Sequence, residues 1–401
     1  MTQTQRSGPS GDGVAGRRPV PAAAPHEPIL DAVQALAPSI TVRAQEIERA
    51  RRLPPDLVDE LLAAGCFRML VPHSHGGAQL DLPVQVHVLE ELARADASVA
   101  WTVMIGSEGP VLFRMLPRTS FDALYAAGPD VILAASANPT GVATPVEGGY
   151  RVTGRWAFVS GCQHAHWFVG HCVVDDGREP PVRMMVLPPT EVAIEDTWSV
   201  SGLCGTGSHD VVVDGAFVPD ELSFVVFGGE PSVDVPPLRI PELTRAGIQI
   251  ASVTVGVARG ALDEILALAL DKTPTFTEGR LVSSPLFQKQ FGEAETQLRA
   301  ARAALRAEVD MVWAKARAGS PFTPEDRAHV RGTATWVATT AAAVVAAAYQ
   351  AGGSSSISTS NPLQRRLRDA HVLTQHFAMK VDTFTKVGAV LAGQDVDLTL
   401  F

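Results

Sequence analysis

The chain has 401 residues, of which 46% are hydrophobic and 19% charged, and a net charge of −10. That is an ordinary globular balance, long enough for two or three domains or one composite core. The acidic excess, with no basic stripe carrying interleaved aromatics, excludes a nucleic-acid partner, and the four cysteines (Cys66, Cys162, Cys172, Cys204) form no C-x-x-C pair, so a reducing cytoplasm fits better than a disulfide framework.

Residues 1–25 are rich in Gly, Pro, Ser and Ala and lack the apolar core of a signal peptide. They read as a disordered tail. Residues 26–130 read as a helical domain. Ile29, Val33, Leu36 and Ile40 recur at helical spacing, as do Leu57, Leu61 and Leu62, then Val86, Val88, Leu89 and Leu92. Residues 131–235 change character. Short β-rich runs at 150–153, 167–170, 182–187 and 211–213 are separated by Gly148-Gly149, Asp175-Asp176-Gly177 and Asp214-Gly215. This spacing predicts a small β-barrel or sandwich. Residues 236–401 return to long helices, at 243–270, 284–318, 324–351 and 362–391, and read as an antiparallel four-helix bundle. The longest apolar run, 334–351, is mostly Ala, Val and Thr. It reads as a packed core helix rather than a membrane span.

The densest cluster of reactive side chains is W-A-F-V-S-G-C-Q-H-A-H-W, residues 156–167, with Cys162, His164 and His166. A metal site needs three or four ligands, and no second cluster completes this one. His73 and His75 form another H-x-H in a loop of the helical domain. Ser160 precedes Gly161 but lies in no G-x-S-x-G elbow, so an activated nucleophile is not indicated either. The expectation is no metal.

Larger blocks are more informative. P-T-G-V-A-T-P-V-E-G-G-Y-R-V-T-G-R-W-A-F-V-S-G (139–161) is followed by D-T-W-S-V-S-G-L-C-G-T-G-S-H-D (196–210) and F-V-P (217–219). P-L-Q-R-R-L-R-D-A-H-V-L-T-Q-H (362–376) stands near the C-terminus. In this order and spacing they resemble the acyl-CoA dehydrogenase superfamily from about residue 30 to the end. Within it they look most like the reduced-flavin-dependent, two-component (group D) monooxygenases.

The resemblance implies an α+β fold of the acyl-CoA dehydrogenase type, with an N-terminal helical domain, a middle β-barrel and a C-terminal four-helix bundle. Its flavin lies between barrel and bundle. Ser160 matches the position reaching the reactive edge of the isoalloxazine, with Trp156, Phe158 and Gly161 forming one wall. Thr206 and Ser208 would offer donors to flavin or substrate, although Cys204 replaces the usual Arg. Arg280 and Gln288 resemble positions reaching the flavin across a subunit interface. Trp101 and Glu108 would line the substrate side, Glu108 standing where some relatives carry His. His376 would handle protons, and His371, five residues earlier and about 140° around an ideal helix, is a weaker substrate-side candidate. Arg368-Asp369 reads as a structural ion pair.

The implied chemistry uses reduced FMN or FAD and O2, through a C4a-hydroperoxyflavin, to oxygenate a small aromatic substrate. No G-x-G-x-x-G opens a helix after a strand, which favours external supply of reduced flavin, and the resemblance implies a separate NAD(P)H-dependent reductase as its source. The resemblance further implies a cytoplasmic homotetramer with no membrane partner. The alternative is an acyl-CoA dehydrogenase with a displaced base. No Glu-Gly follows the R-D-A block, and the other base position holds Gln249. Such an enzyme would need Glu242 or Asp263.

Overall fold

The computed structural model describes residues 28–174, 181–225 and 229–397. The tail read over 1–25 and the Asp175-Asp176-Gly177 turn lie outside the described residues. The described residues open with six α-helices: α1 (Pro28–Ala50), α2 (Pro55–Ala63), α3 (Leu82–Ala95), α4 (Ala97–Gly106), α5 (Gly109–Phe113) and α6 (Arg118–Leu124). Seven strands follow: β1 (Leu133–Val146), β2 (Gly149–Trp156), β3 (Trp167–Val173), β4 (Val182–Leu187), β5 (Ala193–Glu195), β6 (Asp210–Pro219) and β7 (Ser223–Phe224). The chain closes with α7 (Glu242–Asp271), α8 (Pro285–Ala318), α9 (Pro324–Gly352), α10 (Pro362–Leu373) and α11 (Thr383–Leu391).

Helix α4 is the most enclosed of these helices. Asp96 caps it, accepting from the Ser98 and Val99 amides, and every α4 residue except Ile105 is buried. A helix apolar on all sides has no solvent face and belongs at the centre of a packed core. Apolar side chains of α1, α3, α4, α7, α8, α9 and α10 indeed form one continuous cluster.

The strands form one seven-stranded sheet in the order β5-β6-β2-β1-β3-β4-β7, with ends at β5 and β7. Among the described residues only the β1–β3 pair is parallel. Period-two alternation sends neighbouring residues to opposite faces. Leu133, Val169, Met184 and Val186 join the helix-side cluster with Phe113 and Phe121. Ala134, Phe168, Met185 and Leu187 face a second cluster built from the sheet itself around Trp156. Glycines on three strands make room for that indole. A Cβ at Gly141, Gly154 or Gly170 would lie 2.2, 2.6 or 2.7 Å from Trp156 ring atoms.

In the bundle, α9 packs on α7 and α8, burying Ala334, Ala338, Ala341, Val345 and Ala348. Pro324–Ile357 has the length and hydropathy of a membrane span, and its α9 part contributes that Ala/Val stripe to the core. The helix expected over 362–391 does not run through. α10 stops at Leu373, the Phe377–Met379 3₁₀ turn comes next, and α11 starts at Thr383. Local polar groups compete with the helix ladder here. Thr374 Oγ1 donates back to the His371 carbonyl at 2.8 Å, and the His376 ring accepts from the Ala378 amide. The angular relation expected between His371 and His376 therefore does not hold.

Candidate functional site

The end of β2 is stitched to the 204–209 loop. The Val159 amide donates to the His209 carbonyl at 3.2 Å and the Gly161 amide to the Thr206 carbonyl at 2.9 Å. Phe158 has φ +61°, in the left-handed region, and its ring is 65% exposed. A bulky residue there is strained and needs support. Part of that support is Trp198, whose ring meets Phe158 edge-on at 6.1 Å. The entry to the 204–209 loop is strained too, with Leu203, the residue before it, at φ +53°. It is clamped to α10, where Asp369 Oδ1 accepts from the Leu203 amide at 2.7 Å.

Four side chains form a continuous hydrogen-bonded line. Trp101 Nε1 donates to Ser160 Oγ at 3.0 Å. Ser160 Oγ lies 2.7 Å from Ser208 Oγ, which lies 2.7 Å from Thr206 Oγ1. Thr206 Oγ1 donates to the Leu203 carbonyl at 2.8 Å. All four are buried. On its other side Trp101 meets the His376 ring edge-on, with centroids 5.4 Å apart. The structure thus brings together Trp101, Ser160, Thr206, Ser208 and His376, drawn from α4, the β2 end, the 204–209 loop and the segment after α10.

His376 Nδ1 accepts from the Ala378 amide at 3.3 Å, which leaves the ring hydrogen on Nε2. Burial, helped by the Arg331 charge, pushes its pKa down to about 4, so the imidazole is neutral near pH 7. Arg331, buried on α9, donates to the Leu243 carbonyl, and burial and Arg327 lower its own pKa to about 10.

Glu108 lies seven residues beyond Trp101, past the end of α4 and immediately before α5. Gln249 Nε2 donates to its Oε1 at 2.7 Å, and Arg245 Nε lies 4.0 Å from its Oε2. Burial raises the Glu108 pKa, an effect that Arg245 and Gln249 oppose.

Other expected residues fall elsewhere. Trp156 is 1% exposed and donates to the His171 carbonyl, so it backs the β2 end from inside the sheet rather than facing a ligand. Arg280 and Gln288 make local bonds, to the carbonyls of Leu270 and Val282. His371 is exposed and lines a shallow groove of about 510 Å³ with Thr339, Ala342 and Gln375. Arg368 and Asp369 do not pair as expected. Arg368 holds Glu48 and the Ser201 carbonyl, while Asp369 holds Leu203. Adjacent helix residues point apart, which forbids that pair. Glu242 is engaged by Arg114 at 2.9 Å, and Asp263 by Arg94 and Arg259. Among the described residues no three His, Cys, Asp or Glu side chains gather as a metal site requires. Sequence reasoning missed Trp198, Arg331 and the Glu108–Gln249 pair.

Residues 24–114 match the family described as acyl-CoA dehydrogenase, N-terminal domain, and residues 248–381 match acyl-CoA dehydrogenase, C-terminal domain. The chain is 33% identical to the indole-3-acetate monooxygenase of Pseudomonas putida, over 92% of this chain and 93% of that protein. It is 30% identical to the oxygenase component of the FADH2-dependent resorcinol hydroxylase of a Rhizobium species, over 92% and 95%. The crystal structure of 3-HSA hydroxylase from Rhodococcus sp. RHA1 superposes with a TM-score of 0.87 at 28% identity, covering 94% of this chain and 99% of that one. This chain belongs to the acyl-CoA dehydrogenase family. Within that family it is one of the flavin-dependent monooxygenases, which are oxidoreductases.

Proposed function

We propose that this chain is the oxygenase component of a two-component system. It takes reduced FMN or FADH2 from a separate NAD(P)H-dependent reductase and oxygenates a small aromatic substrate with O2. The observation that carries the reading is the buried line Trp101–Ser160–Ser208–Thr206, flanked by His376 on one side and by the strained, exposed Phe158 on the other. The residues fit a flavin ring. A hydroxyl on a rigid strand end suits the polar edge of an isoalloxazine, and an exposed aromatic beside it suits the flat face. Bound reduced flavin supplies the electrons that activate dioxygen, one oxygen atom entering the substrate and the other leaving as water.

The chain's own residues bind, orient and shield. Ser160 meets the flavin edge, Gly161 permits close approach of the backbone, and Phe158 with Trp198 forms a wall. Trp156 supports that wall from behind. Neutral His376 offers its Nε2 hydrogen, while Trp101 walls the substrate side and Glu108 closes its far end, with His371 more peripheral. Thr206 and Ser208 hold Ser160. In a homotetramer, Arg280 and Gln288 would reach the flavin of a neighbouring subunit. The enclosing bundle keeps bulk water from the reacting atoms.

Indole-3-acetate and resorcinol, the compounds named for the relatives, are suitable first probes. The test is anaerobic binding of reduced flavin, followed by mixing with isotopically labelled O2 and probe. The expected result is label in the product with little free peroxide. Absence of flavin binding, or product oxygen derived from water, would overturn the reading.

A further inference from the structure

The line from Trp101 to Leu203 has a direction, fixed by its two ends. At one end the Leu203 carbonyl can only accept, so the Thr206 hydroxyl hydrogen is committed to it. Thr206 Oγ1 must then accept from Ser208, whose single hydrogen is spent there. Ser208 Oγ must in turn accept from Ser160. At the other end the indole N–H can only donate, so Ser160 Oγ accepts from Trp101. Three hydroxyl hydrogens serve three oxygen acceptors, and one arrangement satisfies every contact. In it Ser160 has no hydrogen left to give. One of its two lone pairs holds Trp101 and the other is free.

That state matters at a flavin edge. Oxidised flavin presents a bare N5 that accepts a hydrogen bond, whereas reduced flavin carries N5–H, which donates. A Ser160 locked as an acceptor matches the second and faces the first lone pair to lone pair. Two facing acceptors in a water-poor site cost the desolvation of both.

We infer that Ser208 and Thr206 are positioning residues that fix Ser160 as a hydrogen-bond acceptor and so make the seat discriminate by flavin redox state. Their hydroxyls act through Ser160 and do not donate to the flavin themselves. The inference rests on the flavin seat proposed above. It gives the chain a means of taking up reduced flavin and releasing the oxidised form without any movement of the fold.

The experiment compares dissociation constants of oxidised and anaerobically reduced FMN, and of both forms of FAD, for the wild type, S208A, T206V, T206S and S160A. Calorimetry or flavin fluorescence reads binding without turnover. The wild type should bind reduced flavin the more tightly. S208A frees the Ser160 hydrogen to turn toward oxidised N5, and T206V frees it one step further along. Each should lower the oxidised-to-reduced ratio about tenfold, chiefly by tightening oxidised flavin. T206S keeps the hydroxyl and should keep the wild-type ratio. S160A should weaken reduced flavin alone. A general loosening of the loop would weaken both forms together and leave the ratio unchanged. An unmoved ratio in either S208A or T206V, or a wild type indifferent to redox state, overturns the inference while leaving the seat standing. A wild type that binds neither flavin fails the seat itself. If S208A does not fold, T206V and T206S decide the matter, since valine is nearly isosteric with threonine.

Discussion

Changing His376 to Gln and to Ala distinguishes a hydrogen-bonding role for this side chain from a titrating one. With its pKa at about 4, roughly one imidazole in a thousand carries a second proton at pH 7, and about one in ten at pH 5. Delivery of a proton from that minor form would make the rate rise about tenfold for each pH unit from 8 down to 5. A neutral Nε2–H donor gives a flat profile over the same range. Glutamine can place an amide N–H near the Nε2 position and does not titrate, whereas alanine offers nothing. The loss in H376A should therefore be that of one neutral hydrogen bond, about 1 kcal/mol, or roughly five- to tenfold in coupled product. H376Q should recover most of it. The assay is single-turnover mixing of the reduced-flavin complex with O2 and substrate, with product and peroxide measured between pH 5 and 8. A steep rise toward acid in the wild type that vanishes in H376Q would refute the neutral-donor reasoning.

The same depressed pKa has a stability sign. His376 and His164 are both pushed to about 4, mainly by burial, against 6.5 when free. The unfolded chain takes protons first, so each site's contribution is complete above pH 6.5 and is lost as pH falls toward 4, by up to ~3 kcal/mol. Urea titrations at pH 7 and pH 5 should show the loss, and H376Q should show less of it. Asp369→Ala leaves the buried Leu203 amide without its acceptor and should cost about 1–3 kcal/mol, whereas Asp369→Asn keeps an oxygen there. Equal denaturation midpoints for the two would count against the clamp. Gly170→Ala drives a methyl to 2.7 Å from the Trp156 ring and should destabilise by about 1–3 kcal/mol. Part of that should be recovered in a W156F background, and a double-mutant cycle with no coupling would contradict the packing argument.

Much of the architecture was legible because it is periodic. The helical stripe Ile29, Val33, Ile40 is the buried face of α1, and the alternation along 182–187 divides β4 between two clusters. The ordered blocks carried the family. What escaped was set by distant contacts or by local competition. Glu108 and Gln249 stand 141 residues apart, and neither has a local pattern that announces the other. The break after Leu373 arises where Thr374 and His376 bond to nearby backbone groups, in a stretch whose composition is otherwise compatible with helix. Trp156 could have been placed. It shares strand parity with the inward Val152, and period two puts both on the closed face of the sheet.

Because α4 is buried within the core common to both helical regions, Trp101 is held by what should be among the last segments to open in native-state hydrogen exchange. The other half of the site rests on the strand end, where Phe158 is exposed, and on the largely buried 204–209 loop, both outside the long helices. One wall should therefore open only with global unfolding, while the other, held by loop contacts, should open locally at lower free energy. A ligand leaving this site would follow the loops, and the helices would keep their protection while it did so.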